Sequence, residues 1–562
     1  MEDLLRERLA ALSLEQKVRL LTGADFWSLH PEPAAGLRRI VLSDGPAGVR
    51  GERWDEREPS ANVPSPTALA ATWDPERVER LGRLLAFECR RKGVDVLLAP
   101  TVNLHRTPFG GRHFECFSED PLLTARIGAA FVRGLQEEGV GATVKHFVAN
   151  DSETDRFTYD AHVPERPLRE LYMAPFEALL GEGAWAVMAA YNAVDGATMT
   201  ESPLLEDVLH AEWGWDGLVM SDWGAARDTE RAGSAALDLV MPGPDGPFGD
   251  ALVEAVRAGR VSEAAVDAKV LRLLRLAARV GALEGVAGVT ARAWGEQEIA
   301  AELRATAATS FVLARNRGML LPLEARPLRR VAVLGPNAAV ARTLGGGSAT
   351  VFPPYTVSPL DGLRAALPGA EVSYAPGVRA HTRPPAARVP AEVRFLAADG
   401  TVLASERRAT GEFTWLGSFA PADVDPAAVA AIEVRTTLRA QVAGEHVVGC
   451  AGPGRYRLAV RGDAAFEGRL ELPPGAGPGE GLFAPPFETV PVALDEREEV
   501  DVVLRREHER GPLFLNFQLI FDPPFEAEAE LERAVELARD ADVAVVVVGT
   551  TAEVESEGFD RV

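Results

Sequence analysis

Apolar and polar positions alternate in blocks along the first half of the chain. Short runs of consecutive apolar residues, typical of buried parallel strands, are separated by segments in which apolar residues recur every three or four positions, as in amphipathic helices. The runs predict strands at residues 39–43, 94–100, 142–147, 184–190, 217–220 and 237–241, with helices at 76–92 and 121–138 among those between them. Repeated strand–helix units predict a parallel sheet, and a (β/α)8-type barrel is the simplest α/β architecture that contains it.

The pattern changes twice in the second half. After predicted helices at 263–281 and 296–316, a strand at 330–334 followed by turn residues opens a second α/β unit. Residues 388–525 alternate apolar and polar positions between turn signals, which predicts an all-β module. A helical pattern returns at Glu526, and the apolar run 541–549 predicts a fully buried strand of a parallel sheet. The all-β module is therefore predicted to interrupt the second α/β domain.

These patterns divide the 562 residues into four regions. We predict a (β/α)8-type, TIM-like barrel over 1–290, a helical linker over 291–329, an α/β sandwich domain formed by 330–387 together with 526–562, and a β sandwich inserted over 388–525. Because an open parallel sheet needs more strands than this second domain supplies, we expect further sequence of the same domain to follow Val562.

Composition limits the classes of partner. The chain has 83 acidic and 59 basic residues, and its net charge of -24 repels phosphate backbones and anionic lipid surfaces. We therefore expect neither a nucleic acid nor a membrane as a partner, while assembly into a homo-oligomer stays open. The N-terminus lacks the basic and apolar regions of a secretory signal, so we expect a cytoplasmic protein unless another export route is used.

Cysteine and glycine patterns give no sign of a cofactor. Cys89, Cys116 and Cys450 show no CxxC spacing, so the sequence predicts neither a disulfide framework nor a zinc site. The run from Gly345 to Ser348 lacks the Lys-Ser or Lys-Thr of a P-loop, so nucleotide binding is not indicated. We expect no metal ion and no cofactor.

Polar clusters follow the predicted strands of the barrel. They contain Asp44 in Ser43–Pro46, Arg112 in Gly110–Glu115, Lys145 with His146, Tyr191 with Asn192, and Asp222 with Trp223. In a parallel barrel, functional side chains come from the carboxyl ends of the strands and from the loops after them. One such residue alone is more often structural, and Asp222 alone could be a helix N-cap. Five clusters at one end of a barrel instead indicate an active site.

Taken together, these motifs resemble glycoside hydrolase family 3, in the branch of β-glucosidases with an inserted protective-antigen-type, sugar-binding β domain. The resemblance covers nearly the whole chain, and its further motifs are KHFVAN at 145–150, the segment 165–170, the runs 335–337 and 345–348, and ESEGFDR at 555–561. It implies a retaining β-glucosidase that hydrolyses terminal non-reducing β-D-glucosyl residues through a covalent glycosyl-enzyme intermediate. A carbohydrate or glucoside is then the expected substrate.

The resemblance implies that Asp222 is the nucleophile and that Glu557, which precedes Gly558, is the acid/base, with Glu555 as the alternative. A retaining mechanism needs two carboxyl groups, one ionised to attack and one protonated to donate to the leaving oxygen. Because Asp222 and Glu557 lie in different predicted domains, the active site should form at a domain interface.

The resemblance also implies a sugar-binding set. Asp44 would hold the distal hydroxyls, and the other members are Arg112, Lys145, His146 and Arg156 as its cationic and imidazole partners, Tyr191 beside the nucleophile, Trp223 against the sugar ring, and Ser348 from the second domain. Arg50 and Arg106 are weaker candidates, and any of the arginines could instead form a structural ion pair.

Two features narrow the branch of the family. Val148-Ala149-Asn150 differs from the Pro-Gly-His continuation of the N-acetylglucosaminidases, and Asp44 favours a hexose over the pentose of the β-xylosidases. A β-xylosidase, a β-galactosidase, a macrolide-reactivating β-glucosidase and a phosphorylase stay open as enzymes. A non-catalytic carbohydrate-binding protein or an inactive fragment stays open as another class. Phe483 and Phe487 are candidates for aglycone contact, although packing in the β module's core is the favoured role.

Overall fold

The computed structural model describes residues 1–323, 327–417, 419–474, 485–509 and 514–561. The strands of its first region are β1 (Ser28–Leu29), β2 (Ile40–Asp44), β3 (Val96–Leu98), β4 (Gly141–Phe147), β5 (Asp160–Ala161), β6 (Ala186–Ala189), β7 (Ala193–Val194), β8 (Ala197–Thr198) and β9 (Leu218–Ser221). Six of them form a curled sheet in the order β1-β2-β3-β4-β6-β9, while β5, β7 and β8 form a small separate sheet. All pairs in the curled sheet are parallel except β1 with β2.

Backbone contacts join the two edges of the curled sheet. Met220 of β9 forms a parallel bridge with Leu239, Val240 forms one with Thr22, and Gly23 pairs with Leu29 of β1. The predicted strand at 237–241 is thus present only as bridging residues rather than as a regular strand. The predicted α/β class is confirmed, but the curled sheet among the described residues has six strands, the first of them antiparallel, where eight parallel units were predicted.

Helices lie between these strands and after them. They are α1 (Glu2–Ala10), α2 (Leu14–Leu20), α3 (Pro66–Ala71), α4 (Pro75–Arg91), α5 (Pro121–Glu137), α6 (Glu165–Pro167), α7 (Ala174–Gly181), α8 (Thr229–Ser234), α9 (Asp250–Arg257), α10 (Glu263–Arg279) and α11 (Glu296–Thr309). π-helical segments span Leu168–Met173 and Leu205–Glu212, and short 3-10 turns span Pro33–Ala35, His113–Glu115, Met199–Glu201, Arg317–Met319, Pro336–Ala338 and Pro426–Ala428.

The starts of α4 and α5 follow directly from the sequence. Each begins with an Asp-Pro pair, in which the carboxylate of Asp74 or Asp120 accepts backbone N–H groups of the first turn. Proline fits the first helical position because its missing N–H has no helical partner there.

The second half begins with β10 (Arg330–Leu334) and β11 (Glu371–Ala375), and an antiparallel sandwich follows. The sandwich strands are β12 (Ala391–Leu396), β13 (Val402–Arg408), β14 (Glu412–Leu416), β15 (Ala431–Arg439), β16 (Gly444–Ala451), β17 (Gly454–Val460), β18 (Asp463–Leu470), β19 (Phe487–Leu494), β20 (Glu499–Glu507) and β21 (Phe514–Asp522). They form two sheets, β13-β12-β15-β20-β17-β18 and β14-β21-β16-β19. Buried Phe413, Trp415 and Phe517 pack between the sheets.

After the sandwich the chain returns to the sheet that it left. Helix α13 (Ala527–Asp540) precedes β22 (Val543–Val546), which pairs in parallel with β10 and completes the order β11-β10-β22; helix α12 (Pro359–Ala366) lies between β10 and β11. The prediction that this last run is fully buried is wrong, because Val546 is 62% and Val548 84% exposed. Along β22 only alternate side chains face the covered side of the sheet.

The sandwich contacts the barrel close to the end of β2. The Arg57 guanidinium lies 2.9 Å from Glu406 and donates to the Phe419 carbonyl at 2.8 Å, and Trp54 pairs with Leu416. These contacts place the sandwich beside the loop that follows Asp44.

Three negative findings apply to the residues described above. No helix among them is long and apolar enough to cross a membrane. Nor do these ranges contain a group of three or more His, Cys, Asp or Glu side chains placed to hold a metal ion. The three cysteines are buried and unpaired.

Candidate active site

Asp222 lies at the carboxyl end of β9 with its side chain almost buried. Its Oδ1 accepts the Trp223 N–H at 2.7 Å. Within the described residues, Oδ2 has no hydrogen-bond partner and is 3.6 Å from the nearest imidazole nitrogen, Nε2 of His146. Burial raises the pKa of Asp222, while Arg112, Arg156 and Lys145 oppose the rise. No helix begins here, so an N-cap role does not account for this carboxylate.

His146 is held in one tautomer by Asn103. The Asn103 amide nitrogen donates to the His146 carbonyl at 3.0 Å, so its Oδ1 accepts both the His146 backbone N–H and Nδ1–H. Burial, together with Arg112 and Lys145, lowers the pKa of His146 well below its usual value. A neutral ring with its proton on Nδ1 leaves Nε2 as an acceptor towards the site.

Asp44, at the end of β2, is held by two cations. Arg50 donates to its Oδ2 at 2.6 Å, and Lys145 Nζ lies 3.6 Å from its Oδ1. The Arg50 guanidinium lies between two indoles, 4.6 Å from the Trp27 ring centroid and 4.7 Å from that of Trp54. The stack fixes Arg50, and Arg50 in turn fixes the carboxylate.

Arg50 also connects the barrel to the second domain. It donates to the Ser348 carbonyl at 2.8 Å, and the Ser348 backbone N–H donates to Glu557 Oε2 at 2.7 Å. Asp44, Arg50, Ser348 and Glu557 therefore form one chain of hydrogen bonds across the interface. The backbone of Ser348, rather than its side chain, makes these two contacts.

Glu557 lies at the barrel mouth, bound by arginines of the barrel loops. Arg156 donates to its Oε1 at 2.8 Å, and Arg112 lies 3.9 Å from the same atom. Burial opposes ionisation of this carboxyl, but Arg112, Arg156 and Ser348 together hold its pKa well below the usual range. These contacts favour the ionised form of Glu557.

Glu153 shares these arginines with Glu557. It accepts from Arg156 at 2.8 Å and from the Gly558 N–H at 2.9 Å, and Arg112 lies 4.0 Å away. Burial raises the pKa of Glu153 to about 7 despite both arginines. The site therefore contains two neighbouring carboxyl groups with opposite pKa shifts.

Glu555 is engaged elsewhere. Its Oε1 pairs with Arg561 at 2.5 Å and its other oxygen accepts the Thr550 hydroxyl. The structure therefore places Glu557, rather than Glu555, against the barrel arginines.

Tyr191 and Trp223 border Asp222. The Tyr191 hydroxyl donates to the Trp223 carbonyl at 3.1 Å, and its ring lies 4.9 Å from the Arg156 guanidinium. Burial and the Asp222 carboxylate raise the pKa of Tyr191 well above its usual value. The half-buried Trp223 indole packs 5.3 Å from Trp27 and donates to the Phe26 carbonyl at 3.0 Å. Tyr191 and Trp223 thus connect the surroundings of Asp222 to Arg156 on one side and to Phe26 and Trp27 on the other.

Not every predicted contact is present. Arg112 makes a bidentate pair with Glu115, at 2.9 Å for each bond, so Arg112 and Arg156 lie on the Glu557 side of the site rather than on Asp44. Arg106 lies outside the group and donates to the Tyr172 hydroxyl. The sequence reasoning missed Asn103, Glu115 and Glu153; the one signal was their place in polar loops after predicted strands.

A cavity of 620 Å³ lies between the α/β sheet and the sandwich, and the Gly345–Gly347 loop forms part of its wall. Phe487 lines it and is 41% exposed under the Arg383 guanidinium. The favoured interpretation that Phe487 packs in the sandwich core is therefore wrong, since its strand position faces the cavity. Phe483 lies outside the described residues.

Family models match both halves of the chain. The glycosyl hydrolase family 3 N-terminal domain matches residues 34–276, and the family 3 C-terminal domain matches residues 311–562. A β-glucosidase of Rhizobium radiobacter is 40% identical over an alignment of 562 positions, which covers 98% of this chain and 68% of that protein.

Solved structures agree. A β-glucosidase from Kluyveromyces marxianus in complex with glucose has a TM-score of 0.87 at 30% identity, covering 99% of this chain and 69% of that one. DesR, a β-glucosidase from Streptomyces venezuelae in complex with D-glucose, has a TM-score of 0.72 at 28% identity, covering 99% of this chain and 68% of that one. The resemblance seen in the motifs is confirmed, and the chain belongs to glycosyl hydrolase family 3.

Proposed function

We propose that this chain is a retaining β-glucosidase that removes terminal non-reducing β-D-glucosyl residues through a covalent glycosyl-enzyme ester. The observation that carries the proposal is Asp222 Oδ2, a buried carboxylate oxygen without a hydrogen-bond partner among the described residues. An acceptor of this kind is costly to keep in a folded protein, and attack on an anomeric carbon provides a use for it. The family relatives named above are β-glucosidases, which supports the same substrate class.

Glu557 is the partner carboxyl group in this proposal. Arg156 donates to Glu557 at 2.8 Å and stacks 4.9 Å from the Tyr191 ring beside Asp222, which supports a shared space for the two carboxyl groups. In a retaining mechanism the first attacks carbon while the second protonates the leaving oxygen and later deprotonates water. The two residues come from opposite sides of the domain interface, so substrate binds between the domains.

The protonation of Glu557 has to change when substrate enters. Hydrogen bonds from Arg156 and the Ser348 N–H stabilise its ionised form. A sugar hydroxyl that takes over the Arg156 N–H weakens this stabilisation, and the displaced water no longer solvates the charge. Both effects raise the pKa of Glu557 towards that of a general acid.

The remaining polar groups orient the sugar. Asp44 offers acceptor oxygens, Lys145 offers ammonium protons, and His146 Nε2 accepts a hydroxyl proton. Because Asn103 fixes the tautomer of His146, this acceptor keeps its direction without substrate. A sugar has several hydroxyl groups, each of which can donate and accept a hydrogen bond. Such a molecule matches the acceptors of Asp44 and His146 and the donor of Lys145.

Asp222→Ala tests the proposal. We expect it to lower hydrolysis of 4-nitrophenyl β-D-glucoside by at least about 10⁴-fold, because the covalent step is lost. Azide should restore turnover of 2,4-dinitrophenyl β-D-glucoside and give a glucosyl azide of inverted configuration, since a small anion fits the space of the missing carboxylate. Asp216→Ala is the matched control, because Asp216 precedes the same strand and is 53% exposed.

Appreciable hydrolysis by Asp222→Ala, with the control unchanged, would rule out Asp222 as the nucleophile. Omitting or adding phosphate in the same assay separates hydrolysis from phosphorolysis.

A further inference from the structure

The loop that carries Glu557 is attached to the barrel by a second acidic residue, Asp560. Its Oδ1 accepts the backbone N–H groups of Gly111 at 3.1 Å and Glu153 at 3.0 Å. Its Oδ2 accepts the Ser152 hydroxyl at 2.6 Å, the Thr154 N–H at 3.0 Å and the Glu153 N–H at 3.1 Å. Each of these donors belongs to a barrel loop.

Asp560 lies close to Glu557, the proposed acid/base, both in sequence and in space. Glu557 precedes Asp560 by three residues, a stretch of chain that spans at most about 10 Å. Gly558, between them, donates to Glu153, and Glu153 shares Arg156 with Glu557. Asp560 thus holds the backbone of the loop. Arg156 holds the side chain of Glu557, and Glu153 holds the backbone at Gly558.

The hydrogen bonds of Asp560 are charge-assisted and partly shielded from solvent. Burial opposes ionisation, but the Ser152 hydroxyl and the N–H groups of Thr154, Glu153 and Gly111 lower the pKa of Asp560 below its usual value. An ionised acceptor forms stronger hydrogen bonds than a neutral one, and several N–H donors converging on one carboxylate fix its position in three dimensions.

We propose that Asp560 is a positioning residue that sets where Glu557 stands relative to Asp222. The proposal rests on the proposed function, because it assigns Asp560 a part in proton donation by Glu557. The two carboxyl groups lie in separate domains, so their spacing depends on the contact between the domains. Asp560 provides a part of that contact within three residues of the acid/base, and the groups that donate to its carboxylate belong to barrel loops.

A purely structural tie would stabilise the protein without discriminating between substrates. A positioning role predicts such discrimination, because a good leaving group departs without a proton whereas a poor one needs it. The ratio of kcat/KM for phenyl β-D-glucoside to kcat/KM for 2,4-dinitrophenyl β-D-glucoside therefore reports on Glu557. We use kcat/KM because it includes only the steps up to formation of the glycosyl-enzyme, in which the leaving group departs.

The experiment measures this ratio for the 562-residue chain and its variants. Asp560→Ala should lower kcat/KM for the phenyl glucoside by roughly 10- to 100-fold, the size expected for an acid displaced by about 1 Å, and that for the dinitrophenyl glucoside by less than about threefold. Asp560→Asn should fall between, because its one oxygen can still accept from Gly111 and Glu153. Ser152→Ala, which removes one hydrogen bond, should shift the ratio in the same direction by a smaller factor.

Two controls isolate the role. Asp120→Ala removes a carboxylate that likewise caps backbone N–H groups but lies at the start of α5, and it should alter the melting temperature without altering the ratio. In a Glu557→Ala background, Asp560→Ala should cause no further loss with the phenyl glucoside, since there is no acid left to position.

Equal losses on the two glucosides, or additive losses in the double variant, would overturn the role of Asp560 while leaving the proposed function intact. A wild-type chain that hydrolyses neither glucoside would overturn both.

Discussion

Gly111 offers a direct test of how closely the two domains must approach. A Cβ atom at this position would lie 1.8 Å from the Phe559 carbonyl oxygen and 2.5 Å from that of Ser556. Both obstacles are backbone atoms of the Glu557 loop, so no side chain can rotate away. Gly111→Ala therefore has to push the loops apart.

The size of the displacement follows from the contact distance. Ordinary contact between the added Cβ atom and the Phe559 oxygen begins at 3.4 Å, and the present distance is 1.8 Å. The two loops therefore have to move apart by the difference, about 1.6 Å. The movement also stretches the bond from the Gly111 N–H to Asp560, now 3.1 Å long. Since a shift of about 1 Å in a catalytic group can cost roughly 100-fold in rate, we expect kcat/KM for phenyl β-D-glucoside to fall by at least about 100-fold.

The assay compares Gly111→Ala with Gly362→Ala. Gly362 lies in α12, where an added Cβ atom would have no atom of the described residues within 4 Å. Alanine there should keep activity and raise stability by up to about 1 kcal/mol. Circular dichroism and the melting temperature show whether each variant is folded. A folded Gly111→Ala protein that keeps more than about a third of wild-type kcat/KM would refute the argument that this close approach places Glu557.

Two further predictions concern pH. Burial raises the pKa of Glu153 to about 7, so above that pH its charge opposes ionisation of Glu557. Glu153→Gln should therefore move the alkaline limb of the kcat profile, which reports the enzyme–substrate complex, to lower pH, and a move to higher pH would contradict this. Burial, with His105 and Arg561, lowers the pKa of His113 from 6.5 to about 4. The unfolded chain therefore binds the extra proton between these values, and stability falls as pH falls through that window. His113→Gln should reduce the drop in melting temperature between pH 6.5 and 4, and an unchanged drop would count against it.

The sequence predicted the secondary structure well where local signals are strong. The strand predicted at 330–334 is β10 itself, and the helix predicted at 121–138 differs from α5 by one residue at its end. Both have clear boundaries, since β10 is bounded by turn residues and α5 starts with Asp-Pro. The strand predicted at 237–241 is not a regular strand, because its apolar run contributes only isolated bridges, from Leu239 to Met220 and from Val240 to Thr22.

The sequence could not separate residues with equal local signals. Glu555 and Glu557 lie two positions apart in one loop, and only the fold shows that the first pairs with Arg561 and the second with Arg156. The same holds for Arg112, whose pairing with Glu115 follows from a 3-10 turn and not from its motif.

By itself, the sequence determined the α/β class, the family and the residue types that meet at the end of the barrel, because strand periodicity and motif spacing are local properties of the chain. Only the tertiary structure decided which charges pair, which oxygen of Asp222 has no donor among the residues that the structure describes, and how Asp560 holds the Glu557 loop against the barrel. The bonds from Arg156 to Glu557 and from Ser152 to Asp560 join segments about 400 residues apart. Such contacts are set by the packing of whole domains, and no local pattern records them.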